Sequence, residues 1–144
     1  MAKTVVAEIM TRSVLTLEAG ADLSLAEETM KLERVRHLPV VSFGKLVGLV
    51  SHRDLMKAHA RVLAKAFTAQ VSGSEKRVVM VSVDEVMQRD VRTITPDTAA
   101  TDAARIIIEN RFGCLPVVED EELVGIVTEV DLLRWALTRL GPDA

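Results

Sequence analysis

Apolar residues along this chain change period twice, each time in the same order. Leu23, Ala26 and Met30 fall at i, i+3 and i+7, the spacing of one helix face. Gly20 and Asp22 supply the turn before that helix. Two β-rich runs follow, His37–Val41 and Lys45–Ser51, split by "SFGK" with its turn-favouring Gly44. A helix-friendly stretch then starts near Ser51 and continues to Gln70. "VSGSEKR" breaks it, and Val78–Val83 reads as an extended segment.

The pattern then restarts. Pro96 and Asp97 make the turn, and Ala100, Ala103 and Ile107 repeat the helix spacing. Cys114–Val118 and Leu123–Thr128 repeat the paired runs around "EDEE". A last helix starts near Thr128 and stops at Gly141 and Pro142. Val14–Leu17 and Val91–Thr95, ahead of the first helix of each round, are short strand candidates. Each round therefore predicts β-α-β-β-α.

The two rounds are copies. Glu8–His59 lies over Glu85–Ala136 without a gap, and 17 of the 52 positions are identical. Two copies are too few for a solenoid, so they are expected to pack on each other with approximate two-fold symmetry. The expected division is residues 1–70 for the first repeat with its extended final helix, 71–84 for a linker and 85–144 for the second repeat. Met10 and Met87 occupy the same repeat position, which suggests packing.

Each copy closes on one phrase, "VGLVSHRDL" at Val47–Leu55 and "VGIVTEVDL" at Val124–Leu132. Ser51 with Asp54, and Thr128 with Asp131, fit a variant of the capping box at a helix start. A second reading is open beside it. A strand that runs directly into a helix aims the first-turn N–H groups at an anion. The hydroxyl adds a donor, and the carboxylate one turn on can accept from both hydroxyls of a ribose.

Composition narrows the class. Hydrophobic residues make up 49% of the 144, with aromatics at 3%, so the core is aliphatic. The net charge of −3 arises from 18 basic and 21 acidic residues, well mixed, which gives no nucleic-acid footprint. The apolar runs are too short to span a membrane, and the start of the chain lacks a signal core. A single cysteine, Cys114, forms no internal disulfide, which fits a reducing, cytoplasmic setting. His52 and His59 lack a third partner at ligand spacing, so no metal site is expected. Ser51, His52 and Asp54 lie too close in sequence for a catalytic triad, and no nucleophile–base pair or glycine-rich loop points to an enzyme. Lys76 and Arg77 read as solvated linker charges.

The repeated unit resembles the cystathionine-β-synthase (CBS) domain, and the chain resembles a tandem pair of such domains, a Bateman module. The resemblance is carried by "EIMTRSVLTL" with "EVMQRDVRTI", the two "LPVV" runs and the two closing phrases, in one order and twice. It implies an α/β (α+β) fold of two β-α-β-β-α repeats, a flat homodimer, and adenosyl ligands such as AMP, ADP, ATP or S-adenosylmethionine held in clefts between repeats. On this resemblance the Asp of each phrase holds the ribose. Thr128 and Asp131 would share a cleft with Arg36 and His37. Ser51 and Asp54 would share the other with Gly113 and Cys114, and Arg53 would serve that cleft from within its own helix start. The charge of Arg36 puts the Thr128/Asp131 cleft first for phosphate. A regulatory nucleotide sensor acting on an effector protein is the leading expectation. A ligand-free dimerisation or interaction scaffold is the alternative.

Overall fold

The computed structural model describes residues 3–72 and 80–142. Its architecture is mixed α+β. The strands are β1 (Leu17–Glu18), β2 (His37–Ser42), β3 (Lys45–Ser51), β4 (Cys114–Glu119) and β5 (Glu122–Thr128). The helices are α1 (Leu23–Glu33), α2 (His52–Ser72), α3 (Ala100–Asn110) and α4 (Glu129–Leu140). Short 3-10 helices, Val6–Glu8 and Val83–Glu85, open the two copies. Lys76, Arg77 and Val78 lie outside the described residues. Of the stretch expected as linker, 71–84, α2 reaches Ser72 and the second 3-10 helix begins at Val83.

The helices form where the periodicity places them. Asp22 caps α1, its carboxylate accepting from Ser24 N at 2.8 Å. That bond holds the Asp22 carboxyl below its ordinary value. α1 and α3 both end on an arginine in left-handed backbone, Arg34 (φ 55°) and Arg111 (φ 56°). The hairpin turns also match. Phe43 and Gly44 (φ 52° and 79°) and Asp120 and Glu121 (φ 52° and 68°) each place two left-handed residues at the centre. Such turns fit the twist of the flanking strands. Gly44 tolerates that backbone readily. Glu121 has a Cβ to accommodate there, and its carboxylate lies 3.0 Å from Lys45 Nζ.

The leading strands are shorter than expected. Of Val14–Leu17 only Leu17 enters β1, which runs to Glu18 and pairs parallel with Val40 and Val41. Leu17 is buried, whereas Leu15 and Thr16 face solvent, so only one side chain anchors the run. Val91–Thr95 makes a single bridge, Ile94 to Val117. Ile94 is buried between two exposed threonines. The Thr95 N–H is diverted to Thr98 Oγ1 at 3.1 Å, which turns the chain away from the ladder.

The chain forms two compact units: Met1–Leu15, Phe43–Leu46 and Asp90–Ala144 in the first, Thr16–Ser42 and Val47–Arg89 in the second. Neither coincides with one copy of the repeat. Each takes its opening segment from the other copy. In the first unit, Val6 N donates to Thr98 O at 2.8 Å and Ala7 N to Pro96 O at 2.9 Å. In the second, the equivalent Val83 N donates to Ala21 O at 2.8 Å and Asp84 N to Ala19 O at 3.1 Å. Thr11 exchanges backbone bonds with Ile126 in the first unit, and Gln88 exchanges them with Leu49 in the second.

Each unit has its own core. Val6, Met10, Ile94, Ala103, Ile107, Leu115, Val117 and Val127 fill the first. Leu17, Leu23, Ala26, Met30, Leu38, Val40, Val50, Leu55, Ala58, Val83 and Met87 fill the second. The shared methionine position does pack. A Cβ on Gly48 would meet Met87 Sδ at 2.4 Å, and one on Gly125 would meet Met10 Sδ at 2.5 Å. The glycine of each closing phrase is therefore the seat of the exchanged methionine.

Candidate functional site

Both closing phrases form strand-to-helix junctions. β3 ends at Ser51 and α2 starts at His52; β5 ends at Thr128 and α4 starts at Glu129. The capping boxes are present in both copies. Asp54 N donates to Ser51 Oγ at 3.1 Å, and Asp54 Oδ2 accepts from Ser51 N at 2.8 Å and from Ser51 Oγ at 2.9 Å. Asp131 N donates to Thr128 Oγ1 at 3.2 Å, and Asp131 Oδ2 accepts from Thr128 N at 2.9 Å and from Thr128 Oγ1 at 3.1 Å.

These boxes consume first-turn donors that the sequence leaves open for an anion. The third N–H of each helix goes to the cap hydroxyl. The first N–H of α2, on His52, goes to Arg36 O at 2.8 Å. Each helix start is thus stabilised by its own residues, by about 1 kcal/mol for a cap of this kind.

The two carboxylates differ. Asp131 is 7% exposed, the one buried charged side chain among the described residues. Thr11 Oγ1 donates to it, 3.1 Å from Oδ1 and 3.3 Å from Oδ2. Asp54 is half-buried, and among the described residues its carboxylate is bonded only by Ser51. Thr11 is a residue that sequence reasoning passed over. The signal was present: Thr11 faces Gln88 in the repeat alignment, a hydroxyl against an amide in otherwise matched segments.

The remaining candidates divide by unit. Arg36, His37 and Arg53 belong to the second unit with Ser51 and Asp54; Gly113 and Cys114 belong to the first with Thr128 and Asp131. Arg36 and Arg53 are exposed, and His37 is half-buried at the start of β2. Cys114 pairs with Thr128 across the β4–β5 ladder. Its side chain is buried, and burial pushes the thiol up to about 12, so it stays protonated and offers no nucleophile at neutral pH. His59 Nε2 lies 3.3 Å from Glu27 Oε2. No cluster of three metal-ligating side chains occurs among the described residues. A cavity of about 330 Å³ in the first unit, lined by Lys45, Leu46, Thr93, Val118 and Glu121, contains none of the predicted site residues.

A doubled helix–hairpin–helix unit that closes each time on a Ser/Thr–x–x–Asp junction is the arrangement of a tandem CBS-domain protein. The chain belongs to the CBS domain family, which matches residues 6–61 and again 83–138.

Among solved structures it is similar to AcuB from Vibrio cholerae, with TM-score 0.82 and 31% identity over 97% of this chain and 96% of that one. It is also similar to CBSX2 of Arabidopsis thaliana in complex with AMP, with TM-score 0.78 and 28% identity over 95% and 98% of the two chains. The CBS domain pair of protein MJ0100 in complex with 5′-methylthioadenosine and S-adenosyl-L-methionine gives TM-score 0.77 and 26% identity over 94% and 97%.

Among curated relatives, the uncharacterized protein MJ1225 of Methanocaldococcus jannaschii is 33% identical over 91% of this chain, which spans 46% of that protein. A homoserine O-acetyltransferase of Methanococcoides burtonii is 34% identical over 91% of this chain, which spans 24% of that protein. The chain therefore corresponds to less than half the length of these relatives. No helix among the described residues is long and apolar enough to cross a membrane.

Proposed function

We propose that this chain is a cytoplasmic regulatory module that binds an adenosyl compound and acts on an effector protein, with no catalysis of its own. AMP, ADP, ATP and S-adenosylmethionine are the candidate ligands. The observation that carries the reading is the pair of Ser/Thr–Asp junctions, each offering a fixed carboxylate at a strand-to-helix corner. Asp54 and Asp131 are the proposed ribose acceptors, with Ser51 and Thr128 beside them. A carboxylate suits a ribose diol and would repel a bare phosphate. Arg36, His37 and Arg53 are the proposed phosphate partners, since a guanidinium reads phosphate oxygens in pairs. Gly113 and Cys114 are the proposed uncharged lining, Cys114 through its backbone because its side chain is buried. The reading is supported by the family match and by the AMP and S-adenosyl-L-methionine complexes of two similar proteins.

A second reading is a ligand-free scaffold. It is favoured by one feature: Val130, Leu133, Leu137 and Leu140 are all exposed along α4, an apolar stripe suited to association with a second copy or another protein. Thermal unfolding against AMP, ADP, ATP and S-adenosylmethionine separates the two. A ligand at 100 times its Kd adds about 2.7 kcal/mol of stability. Asp54→Ala and Asp131→Ala should each reduce that gain, and the double variant should abolish it. Absence of a shift with any of the four ligands would leave the scaffold reading.

A further inference from the structure

The exchanged segments bring equivalent backbones to both junctions but different side chains. Thr11 N donates to Ile126 O at 2.8 Å and Ile126 N donates to Thr11 O at 2.9 Å. Leu49 and Gln88 make the same exchange at 3.0 and 2.9 Å. Met10 on Gly125 and Met87 on Gly48 fix the neighbouring positions. From these matched slots, Thr11 reaches Asp131 with its hydroxyl, whereas Gln88 makes no side-chain bond to Asp54 among the described residues.

The acceptor capacity left over therefore differs. Oδ2 is committed to the cap residue in both copies. Oδ1 of Asp54 has no donor among the described residues, whereas Oδ1 of Asp131 already accepts from Thr11 at 3.1 Å. A ribose presents hydroxyl donors, the same chemistry that Thr11 supplies. At Asp54 such a hydroxyl meets an open oxygen. At Asp131 it meets one that is bonded and covered, and a hydrogen bond to a charged acceptor is stronger than a neutral one.

We infer that Thr11 is a built-in competitor for the ligand hydroxyl at Asp131, so that the two sites differ in affinity and the Asp54 site is the tighter. Thr11 acts through Asp131 and is a positioning residue. The inference rests on the reading of both carboxylates as ribose acceptors.

Calorimetric titration with AMP tests it, one site at a time. In an Asp54→Ala background, adding Thr11→Val should tighten AMP binding roughly threefold to tenfold, the range set by one hydrogen bond. The same substitution should lower the melting temperature, because the native bond is lost. Thr11→Ser keeps the hydroxyl and should leave both values near those of the Asp54→Ala background. Asp131→Ala, which leaves the Asp54 site, should bind more tightly than Asp54→Ala, and Gln88→Thr in that background should weaken it. General damage would lower stability and affinity together, so the opposite signs are the diagnostic. If the Asp54→Ala background binds no AMP, a gain of binding on adding Thr11→Val supports the inference and continued silence overturns it. Unchanged or weaker binding in the Thr11→Val variant also overturns it while leaving the nucleotide reading standing. A wild-type chain that binds no AMP removes both.

Discussion

The junctions at Ser51/Asp54 and Thr128/Asp131 have the same motif, the same capping box and the same exchanged backbone beside them, yet their carboxylates are not equally available. Oδ1 of Asp54 has no donor among the described residues; Asp131 is buried under the hydroxyl of Thr11. The family resemblance, which assigns Arg36 to the Asp131 junction, leads one to expect that junction to be favoured for phosphate. Hydrogen bonds counted in space favour the Asp54 junction. A motif identifies which groups occur at a site, while the segment laid over it decides which of them a ligand can reach.

The comparison breaks most readily in the cores. Leu38 and Leu115 hold the same repeat position, and both are fully buried, in different units. Leu38→Ala and Leu115→Ala should each cost about 2–5 kcal/mol, read by denaturant unfolding. If the units are energetically equivalent, the two losses should agree within about 1 kcal/mol, smaller than the usual spread of such changes.

The glycine seats come next. Gly48→Ala places a Cβ 2.4 Å from Met87 Sδ and 3.0 Å from Gln88 O, whereas Gly125→Ala places one 2.5 Å from Met10 Sδ and 3.2 Å from Thr11 O. Overpacking of this kind costs about 1–3 kcal/mol, and the tighter Gly48 seat should lose more. Gly125→Ala should also displace the segment that carries Thr11, so it should perturb AMP binding at Asp131 more than Gly48→Ala perturbs it at Asp54. Equal losses of stability with no change in ligand binding would detach the exchanged segments from the sites.

The caps give the smallest effect and the finest test. Ser51→Ala and Thr128→Ala should each cost about 1 kcal/mol. Combined with Thr11→Val, Ser51→Ala should be additive, because the two residues share no partner among the described residues. Thr128→Ala should couple to Thr11→Val by at least about 0.5 kcal/mol, because both hydroxyls bond one carboxylate. Additivity in both cycles would show that Thr11 does not govern Asp131.

Much of this molecule is legible in the chain. The i, i+3, i+7 spacing of Leu23, Ala26 and Met30 and of Ala100, Ala103 and Ile107 marks buried helix faces, because a helix presents those positions on one side. The turns at Gly44 and at "EDEE" and both capping boxes are local features, set by residues within a few positions of each other. The leading strands are less legible, since a strand is completed by a distant partner, and Val91–Thr95 finds one only at Ile94.

The sequence by itself determined the doubled helix–hairpin–helix unit, its aliphatic cores and the positions of Ser51, Asp54, Thr128 and Asp131. Each of these follows from local spacing or from the gapless repeat. Only the tertiary structure decided that each copy sends its opening segment to the other copy's hairpin, and that Thr11 thereby covers Asp131 from 120 residues away. The physical reason is that a segment ending in "EIM" or "EVM" carries no local preference between two nearly identical glycine seats. The choice lies in long-range packing, and with it the difference between the two sites.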